Sequence, residues 1–235
     1  MSHSKKYQLK MGISAALPIA FGYIPVAITF GFIARNSLLN FAEVFSLSAF
    51  VFAGASQFIG ANLFYQGIGG LEIILTTFFV NLRHLLMSAS LTQKVERASL
   101  PLRIVFSFGI TDESYAVAST RNEATLSPYF MLGLNVTAYL SWLSGSILGF
   151  FFSGFLPASI QESLGISLYA MFISLLIPSL KKSRRILLCA LLAALFNSFF
   201  LIFLSSGWSL IVAAALAAFI LTFFSEEEKC LAQDC

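Results

Sequence analysis

The sequence predicts an all-α polytopic membrane protein with about six full spans plus two broken or re-entrant helical elements. Three observations carry this expectation. Of the 235 residues, 58% are hydrophobic and only 11% charged, against roughly a quarter charged in an ordinary soluble domain. With a mean hydropathy of +0.86 and 26 Phe, the apolar surface exceeds what one core of this length can hide, so lipid must solvate much of it. Second, the apolar residues fall in runs near the roughly 20 residues that a spanning helix needs. Third, Lys and Arg stand in short clusters between these runs, and the formal net charge is only +3. Such a pattern sets orientation in a bilayer and does not build a nucleic-acid face.

Residues 1–10 read as a cytoplasmic N-terminal segment, 11–225 as a single transmembrane transport domain and 226–235 as a cytoplasmic tail. Lys5, Lys6 and Lys10 precede the run Met11 to Ala34, which is longer than a signal-peptide core and lacks an A-x-A cleavage site. It is therefore expected to stay as a first span. Phe41 to Tyr65 is long enough to cross, but Ala53-Gly54-Ala55-Ser56-Gln57 puts small, weakly helix-forming residues and an amide at its middle. Leu71 to Thr92 follows as a span. Ile104 to Ile110 supplies only about 10 Å of helix before Thr111-Asp112-Glu113 interrupts the run that ends at Ser119. Tyr129 to Phe155, Leu164 to Leu180, Ile186 to Leu204 and Ser209 to Phe224 complete the set.

Two topologies fit these runs. If both interrupted segments cross, Arg35, Lys94, Arg97 and Arg103 all lie outside. If both dip in and return, Arg35 is the only loop cation left outside, in better accord with the excess of Lys and Arg on the cytoplasmic side. The re-entrant arrangement puts both termini in the cytoplasm and brings two broken hairpins in from opposite faces. Unwound backbone is then allowed because it lines a cavity. Eight plain spans remain the alternative.

A charge at a helix centre costs about 2.5–3.5 kcal/mol on insertion, so ionisable groups inside the membrane normally face a cavity or a partner. Thr77, Asn81, His84 and Ser88 share one stripe of the Leu71 to Thr92 helix, with Arg83 one step to its side. Arg83 lies too deep to reach the interface comfortably, and His84 offers a proton carrier. Asp112 and Glu113 are adjacent carboxylates, of which at least one should be protonated, paired or solvated. Ser56 and Gln57, with Asn62 beyond, follow Gly54, where backbone can approach a ligand. Ser141, Gly145, Gly149 and Ser153 are spaced by four around a GxxxG, which reads as a helix-contact face, internal or toward another subunit.

Catalytic motifs are absent from the sequence: there is no HExxH, GxSxG, P-loop or GxGxxG, and His3 and His84 are too few for a histidine metal site. No cofactor and no metal is expected. Cys189 sits in an apolar run, and Cys230 and Cys235 show no ligand spacing, so free thiols are expected.

Three blocks resemble the AzlC-like branched-chain amino acid permease family: Phe52 to Phe58, Val80 to Leu91 and Thr111 to Ala116. The resemblance implies the large subunit of a two-component exporter of branched-chain and related neutral amino acids. Its partner would be a small hydrophobic AzlD-like membrane subunit in a bacterial cytoplasmic (inner) membrane. Ser56, Gln57, Asn81, Arg83, His84, Asp112 and Glu113 are the expected substrate or proton pathway, with proton antiport as the expected coupling. Arg83 is expected either to bind a substrate carboxylate or to neutralise Asp112 or Glu113, leaving substrate contacts to Gln57 and Asn81. Asp112 ranks slightly ahead of Glu113 as proton carrier. A channel for small polar solutes and a structural or assembly subunit are the rival readings.

Overall fold

A computed structural model describes residues 4–123, 125–155, 173, 177, 180 and 184–233. The described residues are helical throughout their regular structure: α1 (Lys5–Asn36), α2 (Phe41–Ser46), α3 (Gly54–Tyr65), α4 (Gly70–Thr92), α5 (Leu100–Phe108), α6 (Asp112–Thr120), α7 (Pro128–Phe152), α8 (Arg184–Phe200) and α9 (Ser206–Gln233). Of these, α1, α4 and α7 are long and apolar enough to cross a bilayer, while α8 and α9 contain shorter apolar stretches. The chain is an all-α membrane protein. The expected span Leu164 to Leu180 lies almost wholly outside the described residues. The backbone of α9 stays helical to Gln233, beyond the point where the tail was expected to begin.

The frame is the pair α1 and α7, which run parallel. Lys5 Nζ sits 5.3 Å above the Tyr129 ring at one end, and Arg35 Nη1 donates to the Phe150 carbonyl at 2.9 Å at the other. Between these ends the backbones nearly touch. A Cβ on Gly31 would fall 2.1 Å from the Ser146 carbonyl oxygen, and one on Gly149 would fall 2.0 Å from that of Ile28. Small residues permit this approach and so maximise dispersion contact where lipid supplies no hydrophobic drive between helices. Gly145 meets Ala27 in the same seam, and Ser141 and Ser153 are buried beside it. That stripe of α7 therefore faces inward, onto α1.

The other elements follow from the ends of this frame. Residues after α4 reach the Lys5 end, since Glu96 N–H donates to the Leu126 carbonyl and Leu126 N–H to that of Lys94; α4 thus runs against α1. Helix α3 lies antiparallel to α4, with Ser56 Oγ donating to Asn81 Oδ1 at 2.6 Å and Gly60 opposite Thr77. It ends on the Arg35 face. Phe41, at the start of α2, packs on Phe150 and Phe151 at that same face. Residues 41–65 thus enter and leave by one side. Likewise Lys94 Nζ donates to the carbonyls of Ser119 and Arg121, so α5 and α6 enter and leave by the Lys5 face. The re-entrant reading describes these segments, and eight plain crossings do not.

Span plus hairpin thus occurs twice, α1 with α2–α3 and α4 with α5–α6, in opposite orientations. This is the inverted arrangement in which transporters place a site at mid-membrane. The breaks lie just upstream of the residues expected to be irregular. Leu47–Val51 forms a π-helical turn, Phe52 is left-handed at φ 44° and ψ 46°, and Gly54 to Gln57 is already the first turn of α3. The second gap is Gly109 to Thr111, and Asp112 to Tyr115 opens α6. The correction has a simple cause. Polar and acidic residues favour the first turn of a helix, where N–H groups lack partners and the dipole is positive, so they mark the start of the new half-helix instead of the gap.

Overpacking the seam should be costly. Gly149→Ala is expected to lower stability by about 2 kcal/mol, whereas Gly22→Ala, with nothing within 4 Å of its added carbon, should be neutral or gain up to about 1 kcal/mol of helix propensity. Thermal unfolding of the two detergent-solubilised variants checks this.

Candidate functional site

The hairpin tips meet between the frame helices, where side chains serve part of the interrupted backbone and brace the first hairpin. Asn135 Nδ2 on α7 donates to the Phe106 carbonyl near the end of α5 at 2.6 Å. The Tyr139 hydroxyl donates to the Ala49 carbonyl in the π-turn at 3.1 Å. Gln57 Nε2 donates to Ser48 Oγ at 3.0 Å across the first hairpin. These bonds replace the water that hydrocarbon cannot provide. Phe52 closes the gap between the tips, its ring 5.1 Å from that of Tyr139. A bulky residue held in the left-handed region is sterically disfavoured and persists only where its surroundings fix it.

A small cavity of about 30 Å³ lies at this meeting point, walled by Tyr23, Phe52, Ala53–Ala55, Arg83, His84, Thr111–Glu113 and Trp142. Its two helix ends differ. Helix α6 is capped: Thr111 N–H donates to Ser114 Oγ at 2.9 Å, and Ser114 N–H donates back to Thr111 Oγ1. Its first turn carries Asp112 and Glu113, anions that complement the helix dipole. Helix α3 has Ala53 at its N-cap and receives no side-chain cap, so the opening amides of its first turn are left to the cavity.

Arg83 Nη1 pairs with Asp112 Oδ2 at 2.9 Å, which joins the α4 span to the tip of the second hairpin. The Arg83 side chain reaches a carboxylate and not lipid. Tyr23 on α1 donates its hydroxyl hydrogen to Glu113 Oε2, and its oxygen lies 2.7 Å from Thr111 Oγ1. Among the described residues no cation pairs with Glu113, so the wall holds two carboxylates and one guanidinium. His84 lines the same cavity, with Nδ1 3.3 Å from the Asn81 carbonyl.

The structure brings Arg83, His84, Asp112 and Glu113 together and sets Ser56, Gln57 and Asn81 behind the wall. Ser56 and Asn81 bond each other, Gln57 bonds Ser48, and Asn62 is exposed on the far turn of α3 beside Gln66. Asn81 and the amide nitrogen of Gln57 thus help to hold the first hairpin, while Gln57 Oε1 is buried without a partner. Tyr23, Phe52 and Trp142 belong to the wall and were not expected from the sequence. The one signal for Tyr23 was a lone phenol within an apolar span, which needs a hydrogen-bond partner when buried. On the Lys5 side a second cavity, of about 250 Å³, runs between α4 and α5 past Ser88, Glu96, Arg97 and Arg103 to Phe106 and Ile110. Ile110 precedes Thr111, so this vestibule ends one residue from the central wall.

Comparison with known proteins fits this arrangement. Residues 18–156 match the family described as AzlC protein. An uncharacterized membrane protein of Archaeoglobus fulgidus is 38% identical over 186 residues, 77% of this chain and 80% of its own length. Inner membrane protein YgaZ of Escherichia coli is 31% identical over 188 residues, 77% of each chain. The branched-chain amino acid transport protein AzlC of Bacillus subtilis is 26% identical over 173 residues, 72% of this chain and 66% of its own. No solved structure matches. The family match covers more than half of the chain, including both hairpins and the whole cavity wall, and the chain belongs to the AzlC family of membrane proteins.

Proposed function

We propose that the chain exports branched-chain and related neutral amino acids across a bacterial cytoplasmic membrane. It works as a proton-coupled carrier with a small hydrophobic AzlD-like membrane subunit. The observation that carries this reading is the charge balance of the central cavity: two carboxylates, one guanidinium, and no cation among the described residues on Glu113. The remaining negative charge suits either a substrate ammonium or a proton, which is the exchange an antiporter needs. The name of the Bacillus subtilis relative supports the substrate class.

The cavity's small size also supports a carrier over a channel. A cavity of about 30 Å³ has room for about two or three waters, so an amino acid fits only when the hairpin tips part. The vestibule toward the Lys5 face gives the route, and Phe106 and Ile110 form its inner end. With the Lys5 face cytoplasmic, as the distribution of basic residues favours, loading takes place from inside. The proton role moves from Asp112, held by Arg83, to Glu113, held by the neutral phenol of Tyr23.

The test is uptake of labelled leucine into inverted vesicles, and counterflow in proteoliposomes, with and without the small membrane subunit. A carrier saturates and is stimulated by leucine on the opposite side, and a channel is not. Glu113→Gln is expected to stop pH-driven efflux while leaucine exchange persists in part, because exchange moves no net proton. Full pH-driven efflux by Glu113→Gln would remove Glu113 from the mechanism.

Arg83→Ala should abolish efflux while the protein still inserts. It should also lower the thermal midpoint, since it strands Asp112. Breaking a fully buried pair costs about 3–5 kcal/mol, and the Arg83 and Asp112 side chains keep 34% and 27% of their exposure, so the loss should lie at or below the lower figure. Adding Asp112→Ala should restore much of the stability and none of the transport. Unfolding scans and efflux assays on the single and double variants separate the two effects.

A further inference from the structure

Three sets of donors on the cavity wall have no acceptor, and one of them is the buried Nε–H of Arg83, on a guanidinium whose charge is already balanced by Asp112. The other two lie together. One is the uncapped first turn of α3, with Ala53, Gly54 and Ala55 on the wall. The other is Trp142, which also lines the cavity, is only 2% exposed, and has a buried Nε1–H without a hydrogen-bond partner. They are adjacent: a Cβ on Gly54 would lie 2.7 Å from Trp142 Cη2, so only glycine lets the indole rest on the start of α3. The acceptors on the opposite wall are engaged, Asp112 by Arg83 and Glu113 by Tyr23. Arg83 pairs with Asp112 through Nη1, so its charge is already balanced and only its Nε–H stays unpartnered.

A buried donor left unpaired is costly, because it has given up its water without gaining an acceptor. A helix N-terminus attracts an anion through its free N–H groups and its dipole. We infer that the N-terminus of α3 and the Trp142 indole N–H together form the receptor for the α-carboxylate of the transported amino acid. The ammonium then lies toward Glu113. This assignment rests on the amino acid reading above and deepens it: the ligand is a zwitterion held at both ends, and Trp142 is a substrate-binding residue.

The test compares leucine with leucinol, which has the same side chain and ammonium but no carboxylate, in the full chain with its membrane subunit in nanodiscs. A hydrogen bond to a charged group is worth about 1.5–3 kcal/mol, so Trp142→Phe should weaken leucine binding about 10- to 100-fold and leave leucinol binding unchanged. Unchanged leucine affinity, or equal losses for both ligands, overturns the assignment. A second measurement does not depend on that variant folding. The chain has two Trp, so in Trp208→Phe the indole N–H resonance of Trp142 is the chain's own single one. Saturating leucine should shift it and saturating leucinol should not; a resonance indifferent to leucine, or shifted alike by both, also overturns the assignment. If the unaltered protein binds no neutral amino acid, the amino acid reading itself falls and the receptor with it. Leucine binding that survives Trp142→Phe removes the receptor alone.

Discussion

The contact on which the rest depends is the glycine seam between α1 and α7. With Gly31 and Gly149 lacking side chains, two parallel helices approach to backbone contact, and that sets Tyr23 and Trp142 edge to face with ring centroids 5.3 Å apart. Both hairpin tips come to rest against this pair: Phe52 is 6.5 Å from the Tyr23 ring, and Thr111 and Glu113 bond the Tyr23 hydroxyl. A wider seam would move the platform and separate the two tips. Packing at the periphery of the frame thus fixes the geometry of its polar centre, in a medium where close van der Waals contact is the principal force between helices.

The polar centre in turn obeys a strict accounting of donors and acceptors. Asn135, Tyr139 and Ser48 serve the interrupted first and second hairpins, and the Thr111–Ser114 box closes the start of α6. Once these are assigned, the buried side-chain donors left unmatched among the described residues are Arg83 Nε and Trp142 Nε1, and both residues line one small cavity, while Gln57 Oε1, Asn135 Oδ1 and Thr76 Oγ1 are unmatched elsewhere. Unmatched Trp142 Nε1, the bare start of α3 and uncompensated Glu113 lie within a wall that also contains a salt-bridged pair. Polar groups this expensive to bury are retained in membrane interiors where they meet ions or solutes.

Much of the architecture was legible in the sequence because it reflects cost in lipid. Polar interruptions at mid-run signalled the two breaks, and the loop cations favoured hairpins over crossings. Arg83 and Asp112 could be matched because each is too costly to stand alone at depth. The breaks themselves were read a residue or more late, since the polar residues belong to the starts of α3 and α6. Ser56, Gln57 and Asn81 show a deeper ambiguity. Amides and hydroxyls serve equally to hold a hairpin or to hold a solute, and Gln57 shows both possibilities at once, with Nε2 3.0 Å from Ser48 Oγ and Oε1 buried without a partner. Tyr23 and Trp142 were hidden for the opposite reason: single aromatic residues within apolar helices are ordinary, and their neighbours in space are about a hundred residues away in sequence.

The unequal capping of the two half-helices has a mechanical side. Helix α3 belongs to the hairpin anchored at the Arg35 face and α6 to the one anchored at the Lys5 face. The bare amides and the carboxylates are therefore carried by two different hairpins. On the proposed assignment, a solute with opposite charges at its ends would act as a tie rod between them, drawing the tips together, whereas a solute charged at one end would leave one hairpin slack. The cargo would then be a structural member of the shut form, and selectivity for dipolar molecules would follow from how the hairpins come together as much as from how tightly they grip.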